Sequence, residues 1–164
     1  MNVAKKVILI LVVLVSCVGC DQITKSIARS VLPGAEPLSY LGDTVRLQLI
    51  HNRGAFLSLG ASLPEAWRQG LFLIGVGGLL LGILAYIFLS EPGRPSASVA
   101  LALLFAGGAG NLVDRIAHGG YVVDFISVGV GSVRSGVFNV ADIAISVGGF
   151  MLAVSVLRGR QQAD

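Results

Sequence analysis

Four long apolar stretches decide what this chain can become. Val7 to Cys20 is free of charge and continues, with polar interruptions, to Val31. Gly70 to Leu89 has no charged residue, Ala97 to Val113 runs apolar up to Asp114-Arg115, and Val137 to Leu157 holds a single acid, Asp142. A helix crosses a ~30 Å hydrocarbon core with about 20 residues, in a range of roughly 17 to 25. The last three stretches meet that length. The uncharged part of the first covers only about 21 Å as a helix. It either is a removable leader or crosses the membrane with Asp21, Thr24 and Lys25 in its outer third, at a depth where ionisable groups are costly and usually functional. Of the 164 residues, 54% are hydrophobic and 13% charged, against about 25% charged in soluble domains. No single water-facing globule can bury that excess. The expected fold is an all-α membrane protein in one domain over 1–164, with four transmembrane helices at about 7–31, 68–89, 97–115 and 137–157.

The connections differ in character. Residues 32–66 form a long polar link with Pro33, Gly34, Pro37 and Pro64, in which "DTVRLQLIHN" alternates polar and apolar residues as a strand does. Residues 90–96 make a tight turn. Residues 116–136 form a Gly-rich loop or flap with "YVVDFISV" as a second strand candidate. A small extracytoplasmic β element is therefore expected beside the bundle. An even number of spans puts both termini on one side, together with Lys5, Lys6, Arg94, Arg158 and Arg160. The positive-inside rule makes that side cytoplasmic. Lys25, Arg29, Arg46, Arg53, Arg68, Arg115 and Arg134 then fall outside. That excess calls for acidic partners or lipid phosphate.

The net charge of +3 is spread along the chain, without the clustered basic face that nucleic acid requires, so no nucleic-acid partner is expected. The two cysteines, Cys17 and Cys20, lie in an apolar run far from either histidine. Zinc needs about four ligands, so no metal and no cofactor is expected, and the pair is expected to pack as small apolar residues. Nothing in the pattern demands an oligomer, and a monomer is expected.

The polar residues gather at the outer helix ends. Asp21 and Lys25, four apart, share a helix face and can pair. The third span ends "GGAGNLVDR", where Asn111 shares a face with Asp114 and Arg115. Asp124 follows in "YVVDF". The fourth span opens "FNVADIAI", with Asn139 and Asp142 three apart, and the polar link carries "HNRGAF" with Asn52 and Gly54. Plain structural roles exist for most of these. Asp114 can form an ion pair with Arg115, Asn139 can cap the fourth helix, Gly107, Gly108 and Gly110 can allow close helix packing, and Asp124 can be a surface acid. Asp142 fits a structural role least well, because it lies in an apolar helix with no basic residue before Arg158. A second carboxylate sharing one proton removes the problem and supplies one base and one acid, a pair able to activate water against an amide.

Taken together and in this order, "DQITK", "NRGAF", "GGAGNLVDR", "YVVDF" and "FNVADIAI" resemble the blocks of the signal peptidase II family, over essentially the whole chain. The resemblance implies an aspartic endopeptidase of the bacterial inner membrane. Its substrates would be diacylglyceryl-modified prolipoproteins, cut just before the lipidated cysteine, with membrane lipid as the other partner. It implies that Asp124 and Asp142 are the catalytic acids, with the choice of acid and base open. Asp21, Lys25, Asn52, Gly54, Asn111, Asp114, Arg115 and Asn139 would line or support the site. On this resemblance Asn139 orients the acids or the scissile amide, and Arg115 pairs with Asp114 or lies near substrate carbonyls. Two departures stand out. The family's Asn-Thr-Gly-Ala-Ala-Phe block is Asn52-Arg53-Gly54-Ala55-Phe56 here, and Gly129 to Gly136, "GVGSVRSG", is Gly/Ser-rich, as a mobile flap would be.

Two other readings compete. Intramembrane acids also mark small ion- or proton-coupled transporters, but these acids gather at one face and the second span has no polar residue except Tyr86. Val18-Gly19-Cys20 also looks like the end of a lipoprotein signal. Three further spans make a lipid anchor redundant, and Cys17 stands where such signals prefer leucine. Cys20 is expected to stay unmodified within an uncleaved first helix.

Overall fold

The computed structural model describes residues 3–32, 36–54, 60, 62–89 and 95–160. In chain order the elements are α1 (Val3–Val31), β1 (Leu38–Tyr40), β2 (Val45–Asn52), α2 (Glu65–Gln69), a π-helical stretch (Gly70–Gly75), α3 (Val76–Leu89), α4 (Pro95–Ala117), β3 (Val122–Val130), β4 (Val133–Arg134) and α5 (Val140–Arg160). Among the described residues four helices are long and apolar enough to cross a membrane: Val3–Val31, Glu65–Leu89, Pro95–Ala117 and Val140–Arg158. The chain is thus a mainly helical membrane protein with a small antiparallel sheet, as its apolar pattern implies.

The short apolar run of the first span is solved by an unbroken helix. α1 continues through Cys20 and the polar third to Val31, and its 29 residues reach about 44 Å. The polar third avoids lipid by turning inward. Asp21 and Lys25 are fully buried, while Val15, Ile23 and Ile27 point outward. The same inversion holds for the whole molecule. Lys25, Asn139, Asp21, Asp114 and Asp124 are among the largest fully buried side chains, and only Val123 among that set is apolar. At the opposite end, Lys6 Nζ donates to the Ile87 carbonyl at 2.7 Å. It satisfies a carbonyl that the last turn of α3 leaves open and fixes the start of α1 beside the end of α3.

α4 is the central helix, packed on α1, α3 and α5. Its glycines make this possible, each toward a different neighbour. A Cβ on Gly107 would sit 2.5 Å from the Ala141 carbonyl of α5, one on Gly108 2.6 Å from Leu80 Cδ2 of α3, and one on Gly110 3.0 Å from Asp21 Oδ2 of α1. Small residues at such crossings let backbones approach where no hydrophobic effect drives helices together. Gly148 does the same from α5, where a Cβ would meet the Ala100 carbonyl at 2.8 Å and the Leu104 nitrogen at 3.0 Å. Backbone atoms cannot rotate away, so Gly148→Ala forces α4 and α5 apart. We expect a loss of about 1–3 kcal/mol, read as a lower thermal midpoint of the purified protein in detergent. An unchanged midpoint would show that the crossing relaxes freely.

The sheet has strand order β1-β2-β3-β4, antiparallel throughout. β2 and β3 are the strands that alternation predicts. β1 and β4, three and two residues long, are too short to carry such a signal. The Gly/Ser-rich segment expected as a mobile flap folds as a hairpin, with Gly129 paired to Arg134 and Val130 to Val133. Register shifts between Leu47 and Ile50 of β2. Opposite, the Phe138 carbonyl accepts from both Phe125 and Ile126 nitrogens, at 3.0 and 2.9 Å. Such bulges re-aim side chains. Neighbouring residues of β3 also face opposite sides, as in any strand: Asp124 lines a cavity toward the bundle, Phe125 an apolar groove against α1.

Two helix starts differ from expectation. The second span begins at Glu65, before the expected 68, and enters α3 through π-helical turns that bury Phe72. The fourth begins at Val140, after the expected 137, because Phe138 is held as a bridge to Ile126. Asp142 therefore lies in the first helical turn, and not inside the apolar span.

Candidate active site

Asn139 is the hinge of the site. Its Oδ1 accepts the Asp142 backbone N–H at 2.9 Å, and Asp142 Oδ2 accepts the Asn139 backbone N–H at 3.2 Å. This reciprocal pairing is a capping box, with Asp142 at the third helical position. There a negative charge also meets the positive end of the helix dipole, so the charge that looks misplaced in the sequence has local support. With Oδ1 committed, Asn139 must turn Nδ2 the other way. It donates to Asp124 Oδ1 at 2.7 Å, to Asn111 Oδ1 at 3.1 Å and to the Val123 carbonyl at 3.3 Å. Capping and contact with the acids are one role.

The other two asparagines are locked by the same logic. Lys25 Nζ donates to Asn111 Oδ1 at 3.0 Å. An ammonium cannot accept, so Asn111 must offer oxygen to Lys25 and Nδ2 to Asp142 Oδ1, at 2.9 Å. Asn52 Oδ1 accepts the Gly54 N–H at 2.9 Å, which leaves Nδ2 to donate to Asp124 Oδ2 at 2.9 Å. Asp124 accepts from Asn52 and Asn139, Asp142 from Asn111 and the Asn139 backbone. Both acids line one cavity of about 310 Å³, together with Asn52, Asn111, Arg115 and Phe72.

Behind this layer lies an ion cluster. The Asp21–Lys25 pair expected from spacing is present at 2.7 Å, and Lys25 also pairs with Asp114 at 3.0 Å. All three side chains are fully buried. The remaining oxygens are occupied: Asp21 Oδ1 accepts from Ala141 N at 3.0 Å, and Asp114 accepts from Val123 N at 2.9 Å and Gln22 Nε2 at 2.8 Å. Gln22 is a participant that the sequence pattern does not single out, since an amide beside Asp21 carries no periodic signal. The expected pairing of Asp114 with Arg115 is corrected. Asp114 turns to Lys25, whereas Arg115 donates to the Gly54 carbonyl at 2.7 Å and the Asn111 carbonyl at 3.2 Å and lies 4.9 Å from the Phe72 ring centre. Adjacent helical residues diverge by about 100°, so the two cannot serve the same partner. Phe72, another member the sequence does not mark, lines the cavity from the π-helical turns. Gly54 is buried between Asn52 and Arg115; Ala55 and Phe56 of that block lie outside the described residues.

Burial pushes the Asp124 carboxyl up to about 6; the Asn52 hydrogen bond opposes this and the Asp142 charge adds to it. Between 3.8 and about 6 the folded chain therefore holds a proton that the unfolded chain releases. The contribution of this group to stability falls as pH rises through that window. In Asp142→Asn the Asp124 titration should move down, because the neighbouring charge is gone, yet stay above 3.8, because burial is the larger cause. Carboxyl carbon shifts in aspartate-labelled protein check this. A midpoint that rises, or one that drops to 3.8, would refute the ordering of causes.

Four helices long and apolar enough to cross a membrane, with two carboxylates lining one cavity, define a polytopic membrane protein. The chain belongs to the signal peptidase II family, whose model matches residues 11–158, and by that membership is an aspartic peptidase. It is 35% identical over 143 residues to the lipoprotein signal peptidase of Syntrophus aciditrophicus (strain SB), covering 87% of this chain and 88% of that one. It is 33% identical over 139 residues to the lipoprotein signal peptidase of Burkholderia thailandensis, covering 84% and 81%. Among solved structures, a bacterial membrane enzyme determined by the in meso method at 2.3 Å superposes with a TM-score of 0.80 at 22% identity, over 99% of this chain and 93% of that one. At that identity the likeness concerns the fold alone.

Proposed function

We propose that this chain removes signal peptides from diacylglyceryl-modified prolipoproteins, cutting before the lipidated cysteine, with Asp124 and Asp142 as a catalytic pair. The observation that carries the proposal is Asn139. One side chain and its own backbone N–H engage both acids at the wall of one cavity. Its relatives bear the name lipoprotein signal peptidase. In this reading one acid takes a proton from water as the other protonates the leaving amine. Which acid plays which role stays open. Asp21, Lys25, Asn52, Asn111, Asp114 and Asn139 hold the acids in register, and Arg115 holds the strand end at Gly54 while its guanidinium lines the cavity.

The substrate explains where such a site should be. A cysteine carrying two acyl chains rests at the outer leaflet surface, so the acids belong at the outer end of the bundle and both termini in the cytoplasm. We read the whole chain as one such domain acting as a monomer, with α1 retained and Cys20 unmodified. A gel-shift assay with a diacylated prolipoprotein tests the function. The purified protein in lipid should shorten that substrate and leave its unlipidated form intact. Equal cutting of both forms, or of neither, would sink the proposal.

A further inference from the structure

The basic residues assigned to the outer end of the bundle are mostly accounted for by contacts within the chain. Lys25 is neutralised by Asp21 and Asp114. Arg46 and Arg134 share Asp43, and hydrogen bonds, above all from Arg46, hold that carboxyl below the usual carboxylate range. Arg115 and Arg68 donate to backbone carbonyls. Arg29 differs. It sits in the last turn of α1, and no carboxylate among the described residues pairs with it. Its hydrogen bond goes to the Nε2 of His118, just past the end of α4. His118 stacks on Tyr121 with ring centres 5.3 Å apart, and Tyr121 meets His51 of β2 at 4.5 Å. The chain has two histidines, and both are here.

This is an unusual setting for an arginine. The guanidinium is held by a ring nitrogen and not by a carboxylate, and His118 stacked on Tyr121 limits its movement. A guanidinium has five N–H donors, and His118 takes one through Nη1. Arg29 is only half-buried in the last turn of α1, and its guanidinium has no other hydrogen bond among the described residues. A planar, pre-oriented fork with spare donors matches an oxyanion in two-point contact. The oxyanion that a bilayer supplies at that level is the lipid phosphodiester, drawn to basic groups beside transmembrane helix ends.

We propose that Arg29, oriented by His118 with Tyr121 and His51 beside it, is a binding site for the phosphate headgroup of an anionic membrane phospholipid. It is separate from the cavity that holds the two acids, and the cleavage chemistry does not need it. The site anchors the outer ends of α1 and α4 to one lipid.

The test uses the full chain in nanodiscs of phosphatidylcholine with and without phosphatidylglycerol, and native mass spectrometry to count retained lipid. The wild type should retain phosphatidylglycerol over phosphatidylcholine by about fivefold or more, and Arg29→Gln should abolish the preference while cleavage in pure phosphatidylcholine stays at the wild-type rate. Arg53→Gln, which removes an exposed outer arginine, should leave the preference intact. Equal loss in both variants would mean diffuse attraction and would overturn the site, as would a wild type without preference. Millimolar inorganic phosphate should not displace the lipid; if it does, the ligand is free phosphate and the lipid assignment is wrong. Independently of any variant, nitrogen resonances of labelled wild-type histidine should move for His118 on adding phosphatidylglycerol. A silent His118 overturns the proposal.

Discussion

Replacing Asp124 or Asp142 by asparagine is expected to lower prolipoprotein cleavage by about 10³-fold or more, within or above the range of lost general acid–base catalysis. Loss of folding is the obvious confusion, and the hydrogen bonds say how large it should be. Each acid accepts at both oxygens, Asp124 from two amide donors and Asp142 from an amide and a backbone N–H. An asparagine in either place must turn its NH2 toward a donor, which costs about 1–3 kcal/mol. Both variants should therefore insert and fold with a lowered thermal midpoint, and the folded protein should still fail to cut. A variant with wild-type turnover per folded molecule would remove that residue from the catalytic pair. Asn139→Ala should lose activity as well, because it frees both acids at once, but it should retain more than either acid variant.

Lys25→Met should be the most destabilising single change in the chain. It leaves Asp21 and Asp114 facing each other, fully buried, without their cation. Breaking a buried ion cluster by removing one partner costs about 3–5 kcal/mol, whereas neutralising every member is often nearly free. The triple variant Asp21→Asn, Lys25→Met, Asp114→Asn should therefore recover at least half of the loss in thermal midpoint. Activity should not recover with it. Without the ammonium nothing obliges Asn111 to keep its oxygen toward α1 and its NH2 toward Asp142. Recovery of stability and activity together would show that Lys25 only holds the fold. No recovery of stability would show that its contribution is not the pairing of charge.

Much of this site was legible along the chain. Asp21 and Lys25 pair as a spacing of four on one helix requires, and the acids and asparagines marked by their placement at helix ends do converge. The strands β2 and β3 follow from alternation. What escaped were features without a repeating signal. The strands β1 and β4 are too short for one, Phe72 enters through turns that depart from the 3.6-residue period, and the shorter bond of Gln22 goes to Asp114, 92 positions away. The pairing of Asp114 was misread because Arg115 is its neighbour in sequence, whereas Lys25 is its neighbour in space.

By itself the sequence determined the class of the molecule: its apolar runs are long enough to cross a bilayer, and that follows from composition and length, which are local properties. It also determined which polar residues had to be inside, since lipid excludes them at that depth. Only the tertiary structure decided how those residues share their protons and charges. Asn111 points its NH2 at Asp142 because Lys25, which is 86 positions away, occupies its oxygen. Asp142 stands in a first turn because Phe138 is bound to β3 before α5 can begin. A hydrogen bond fixes its donor and acceptor at about 3 Å, and no pattern along one dimension states which distant groups the fold will bring that close.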